Sequence, residues 1–161
     1  MRKQNFLNKL KRQRKLEIVE PSENICLSYL EKAKNSFSSA KILLESKLYE
    51  NSVSMSYYAM YNSLTALLFK IGIKCENHTG SILLLKELFQ ENKLFDIISF
   101  AKEERVDKQY YVDFELTEES AKDLLNKSED FILEIKILMK KLTTEEIKRF
   151  RNIFVDYYEN V

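Results

Sequence analysis

Along residues 23–48 the apolar positions Cys26, Leu30, Ala33, Phe37, Ala40 and Leu44 recur at intervals of 4, 3, 4, 3 and 4. That spacing follows the helical turn and predicts an amphipathic helix with one buried face. Residues 51–71 repeat it through Val53, Tyr57, Met60, Tyr61, Leu64, Leu67, Leu68 and Ile71, and then reach Gly72, a residue suited to the left-handed backbone that closes helices. A loop carrying His78 is expected next, followed by a short helix over 81–89 and a longer one over 93–111. Thr117 before Glu118 and Glu119 forms a helix start, because the hydroxyl accepts an orphan amide proton and the acids suit the positive helix end. The helix it opens carries Ala121, Leu124, Leu125, Ser128, Phe131, Ile132, Ile135, Leu138, Met139 and Leu142 on one face. Thr143-x-x-Glu146 is a capping-box pattern that restarts the chain as a last helix with the stripe Ile147, Phe150, Phe154 and Tyr157.

Pro21, the only proline, biases its predecessor away from helical geometry and marks a boundary. The expected organisation is a basic arm over 1–21, a helical bundle over 22–142 and a C-terminal helix over 143–161. The fold class is all-α: an up-and-down bundle of four to five helices, with an extra C-terminal helix and a basic N-terminal arm. Composition agrees, since two glycines and one proline in 161 residues are poor material for hairpins. One domain suits the length.

Charge changes the picture only at the start of the chain. Residues 1–16 hold seven Lys/Arg and no acid, so the net charge of +1 conceals a balance of about −6 over the rest. The arm residues Lys9, Lys11, Arg12, Arg14 and Lys15, with Arg2 and Lys3, have the electrostatic footprint of a nucleic-acid or acidic-partner contact. The alternative is a solvated extension, and Phe6, Leu7 and Leu10 among the cations favour a helix docking on something, such as a partner subunit. Cys26 and Cys75 lack metal-ligand spacing, so neither zinc nor a disulfide framework is indicated, and no cofactor is called for. Without a long apolar run, a membrane role is not expected and a cytoplasmic protein is.

His78 is the only histidine. An imidazole there can act as a general base or phosphate ligand, or it can tie its loop to a helix-end backbone group. Tyr57, Tyr58 and Tyr61 can stack on a base or form core and dimer seam, with Tyr58 the most exposed of the three. Arg105 and Tyr110, with Asp107, can bind phosphate or a partner, or pair and pack within the fold. A role for Arg105 requires it to come within reach of His78.

The order of four motifs resembles the HEPN domain (higher eukaryotes and prokaryotes nucleotide-binding) in its small stand-alone prokaryotic branch, over about residues 24–137. Tyr57-Tyr58-Ala59-Met60-Tyr61-Asn62 stands for Y-Y-A-M-F-H, His78-Thr79-Gly80 for H-x-G, Arg105 to Tyr110 for R-x-x-A-D-Y, and Thr117-Glu118-Glu119-Ser120-Ala121 for T-E-E-x-A. The resemblance implies a helical bundle that dimerises and is often encoded beside a minimal nucleotidyltransferase. It also implies kinship with metal-independent ribonuclease toxins that use an R-x4–6-H motif. Here the nearest arginine before His78 is Arg14, 64 residues upstream, so that motif is absent. Asn62 replaces the family's histidine, Thr65 an arginine found in some members, and Gln109 the usual aspartate.

These readings lead to a HEPN-like interaction module, a homodimer acting with a nucleotidyltransferase in a toxin–antitoxin or related two-component system. The alternatives are a nucleotide- or RNA-binding protein without turnover, and a metal-independent RNase toxin built on His78, Arg105 and Tyr110. The residues expected to bind nucleotide or partner are Tyr58, Asn62, His78 and Arg105.

Overall fold

The Ser22 hydroxyl accepts the Ile25 N–H at 3.2 Å, and from this cap the first long helix of the bundle runs. A computed structural model describes the backbone of residues 2–110 and 116–159 and the side chains of 5–105 and 116–156. In chain order it contains α1 (Arg2–Arg12), β1 (Leu16–Ile18), α2 (Glu23–Glu45), α3 (Tyr49–Lys70), β2 (Ile73–Cys75), α4 (His78–Glu87), α5 (Asn92–Tyr110), α6 (Glu118–Lys141) and α7 (Thr144–Glu159). The all-α bundle expected from the periodicity is the observed architecture.

α3 is the central rod, packed against α2, α4, α5, α6 and β2. Its residues Ser52, Val53, Ser54, Ser56, Tyr57, Ala59, Met60 and Ser63 to Leu68 are buried on every side. Small side chains make that possible by letting neighbouring helices approach closely. Ser52 Oγ donates to Ala40 O at 2.8 Å and Ser63 Oγ to Met60 O at 2.7 Å, as desolvated polar groups usually do, whereas the buried Ser56 Oγ has no hydrogen-bond partner. The stripes predicted for α2 and α6 face inward, with Cys26, Ala33 and Ala40 buried on the first and Ala121, Leu124, Leu125, Ser128, Phe131, Ile135 and Met139 on the second.

The end signals hold. Gly72 has φ +75°, Thr117 Oγ1 accepts the Ser120 N–H at 3.2 Å, and Thr143 and Glu146 exchange both bonds of the capping box, at 3.0 and 3.2 Å.

Two features depart from the sequence expectation. His78 is the first residue of α4, not part of a loop, because Asn77 caps the helix by accepting the Gly80 N–H at 2.8 Å. The basic segment docks on this chain's own core. Leu7, Leu10 and Leu16 are buried, and β1 forms an antiparallel ribbon with β2 in the register Leu16↔Cys75, Glu17↔Lys74, Ile18↔Ile73. Arg151 of α7 locks the other end of this ribbon: its Nη1 donates to the carbonyls of Val19 (2.7 Å), Ile71 (3.1 Å) and Gly72 (3.1 Å).

Candidate functional site

Tyr57, Tyr58 and Tyr61 occupy one stretch of α3, where an i, i+4 pair lies on a common face. Asn77 starts α4 so that the His78 ring slides against that face. The imidazole stacks on the Tyr61 ring with centroids 3.8 Å apart and planes at 13°. Its Nδ1 shares a hydrogen bond of 2.7 Å with the Tyr57 hydroxyl, and Tyr58 meets it edge-on at 6.3 Å.

α5 closes the cluster with two cations three residues apart. The Arg105 guanidinium sits 5.0 Å from the ring centres of both Tyr57 and Tyr58, and its Nη1 donates to the Tyr58 hydroxyl. Lys102 donates to Thr79 Oγ1 at 2.7 Å, next to His78. Arg105 Nε is buried without a hydrogen-bond partner. Arg105 and His78, 27 residues apart in sequence, are therefore joined through Tyr57.

The electrostatics follow from burial and these cations. Burial, with the charges of Arg105 and Lys102 adding to it, lowers the His78 pKa below 6.5, so the ring is neutral at pH 7. Burial raises the Tyr57 pKa well above the ordinary phenol range, against the pull of Arg105. When this protonated hydroxyl donates to Nδ1, the ring proton resides on Nε2. Burial likewise raises the Tyr61 phenol and the Cys75 thiol, which leaves Cys75 a poor nucleophile near neutral pH.

Tyr58 and Arg105 also line an open groove of about 590 Å³ together with Ser39, Ile42 and Leu43 of α2 and Asn51, Ser54 and Met55 of α3. His78 does not line it. Asn62 is not brought to the cluster, since its Nδ2 turns to Ser36 Oγ on α2 at 3.3 Å. The Tyr110 side chain lies outside the described residues. The arm residues Lys9, Lys11, Arg12, Arg14 and Lys15 are all exposed. His78 bonds a tyrosine hydroxyl, not the helix-end backbone group that a loop-tying role called for. Tyr57 and Tyr61, which the sequence offers as base-stacking or core rings, belong to the cluster, and so does Lys102, which sequence reasoning does not single out. The spacing 57/61 and 102/105 was the available signal.

Among the described residues no group of three His, Cys, Asp or Glu side chains could hold a metal ion, and no helix is long and apolar enough to cross a membrane.

The model of the HEPN domain matches residues 27–138. Two proteins of Methanocaldococcus jannaschii, each named "Putative toxin", are 32% and 30% identical to this chain. The first alignment covers 70% of this chain and 87% of the relative, the second 76% and 85%. A "UPF0332 protein" of Archaeoglobus fulgidus is 30% identical over 70% of this chain and 93% of its own length. With most of the bundle, the tyrosine run on α3 and the His-Thr-Gly helix start within the matched span, this chain belongs to the HEPN domain family.

Proposed function

We propose that this chain is the toxin-type member of a two-component system, a homodimeric HEPN module that acts with a minimal nucleotidyltransferase, and that it works by binding. The state of the one imidazole carries this reading. His78 is neutral, half-buried, stacked on Tyr61 and bonded to Tyr57, so its ring is engaged within the fold. Arg105 and Tyr58, by contrast, open into a groove whose rim includes Ile42, 62% exposed. An apolar groove with an arginine and a tyrosine in its wall has the composition of an association surface. The relatives named as toxins support the two-component setting.

The test is a search for a minimal nucleotidyltransferase gene beside this chain's own, followed by expression in cells with and without that protein. Growth arrest by this chain alone, relief on co-expression and a retained complex on purification are expected, with a sedimentation mass of two chains for the free protein. A monomer that neither arrests growth nor binds the nucleotidyltransferase overturns the proposal.

One observation favours a second reading, nucleic-acid binding. Lys9, Lys11, Arg12, Arg14 and Lys15 are exposed on a ridge whose Leu10 packs against Gly80, two residues from His78. On that reading single-stranded RNA binds with strong salt dependence, and Lys11→Glu/Arg12→Glu/Lys15→Glu weakens it and flattens the salt slope. Binding unchanged by these substitutions removes the ridge from the account. An RNase built on His78 requires metal-free cleavage by the wild type that His78→Ala abolishes.

A further inference from the structure

α2 and α6 leave a second groove, remote in sequence from the tyrosine run. Leu30, Leu133, Ile137 and Met139 supply its apolar wall, with Glu23, Lys70, Lys136 and Lys140 around them. Leu133 is 57% and Ile137 37% exposed, and Leu27, one turn before Leu30 on α2, is 54% exposed. Two apolar ridges, at i, i+4 on one helix and i, i+3 on the other, leave between them a channel of the kind another helix packs into.

The charges say what kind of helix. Lys70 and Glu23 neutralise one another at 2.9 Å. Lys136 and Lys140 stand at i, i+4 on α6, a like-charge spacing that weakens a helix, and among the described residues neither pairs with a carboxylate. The first half of the same helix is built differently: Asp123 and Lys127, also i, i+4, form an ion pair at 2.8 Å. Lys140 falls in the last turn, where it complements the helix dipole, but Lys136 lies a turn earlier and has no such role. A second copy of this face is a poor occupant, because three lysines against one glutamate would meet the same surplus of positive charge.

We infer that the α2–α6 groove is a docking surface for an amphipathic helix of another protein, one with a leucine-type apolar face flanked by Asp or Glu. The docked helix covers Leu30, Leu133 and Ile137 and places its carboxylates beside Lys136 and Lys140. Leu133 to Lys140 is about 10 Å of helix at ~1.5 Å per residue, so two to three turns of partner are enough.

The probe is a pair of synthetic 15-residue amphipathic helices with the same leucine face, one flanked by glutamates and one by lysines, followed by fluorescence anisotropy on the full chain. The glutamate peptide is expected to bind with micromolar affinity and the lysine peptide at least tenfold more weakly. Lys136→Glu/Lys140→Glu should invert that preference. Leu133→Arg should abolish binding of both, with an unchanged helical circular-dichroism signal showing that the variant is folded. Equal binding of the two peptides, binding of neither, or unchanged binding by Leu133→Arg overturns the inference. A change in sedimentation mass on Leu133→Arg also overturns it, by making the face a contact between copies. None of these outcomes depends on the nucleotidyltransferase, so this inference can fail while the proposed function stands.

Discussion

The His78 cluster and the α2–α6 groove use the same kinds of residue in opposite ways. At His78 the aromatic rings, the imidazole and two cations engage one another, with only Arg105 Nε left unpartnered: Tyr57 holds Nδ1, Tyr61 covers the ring and Arg105 caps the tyrosines. At the groove Leu133 and Ile137 stay exposed and two lysines at i, i+4 pair with no carboxylate among the described residues. The imidazole has been absorbed into architecture, while Tyr58 and Arg105 of the same cluster still face an open groove. A residue's reactivity in this fold is thus set by how many partners the bundle gives it, more than by its type.

Substitutions test that contrast, beginning with the one that empties the closed end. Tyr57→Ala removes a fully buried ring from α3 together with its bond to His78. It should destabilise the chain by about 3–5 kcal/mol, the range for buried aromatic to alanine changes, as read from urea unfolding. Gly72→Ala should come next, at roughly 2–3 kcal/mol. The left-handed φ of +75° disfavours a side chain, and a Cβ there would fall 2.4 Å from the Val19 carbonyl and into Arg151. Thermal unfolding that leaves Gly72→Ala at the wild-type midpoint would refute this.

Tyr57→Phe keeps the ring and deletes only the hydroxyl, so a loss of about 1 kcal/mol is expected. A loss as large as that of Tyr57→Ala would mean that the hydrogen bond, and not packing, dominates the cluster. The pH dependence isolates His78 further. Its folded pKa lies below 6.5, so the unfolded chain binds the proton more readily; its contribution is fully present above about pH 6.5 and is lost as pH falls through the folded value. Melting temperature should decline from pH 7 to pH 5, and His78→Gln should flatten that decline. A variant with the same slope would place the pH sensitivity elsewhere. The smallest effect belongs to the open face: Leu133→Lys should change stability by no more than about 0.5 kcal/mol, because the side chain is already in water.

The helices were legible because they obey spacing. The stripes of α2 and α6 and the caps at Thr117 and Thr143 are local statements about residues three and four apart, and local chemistry decides them. Asn77 carries the same kind of signal for α4, set against the weak helical opening that His78, Thr79 and Gly80 make after it. The β1–β2 ribbon had no local signature: three residues per strand pair across some 57 positions, and contacts distant in sequence hold them, the burial of Leu16 and Ile73 and the clasp of Arg151 among them. The site was half legible. Composition singled out His78, the tyrosine run pointed to Tyr58 and the motif resemblance to Arg105, but their connection through Tyr57, and the turn of Asn62 toward α2, depend on how four helices rotate against one another.

The grip of Arg151 on Val19, Ile71 and Gly72 has a consequence for the ends of the chain. One guanidinium from the final helix holds both the exit of the first strand and the start of the second. Trimming the chain after Leu142 would strip that clasp, so protease sensitivity should first surface near residues 13–22, far from the cut. Head and tail of the polypeptide behave as a single seam, and a truncation at one is felt as fraying at the other.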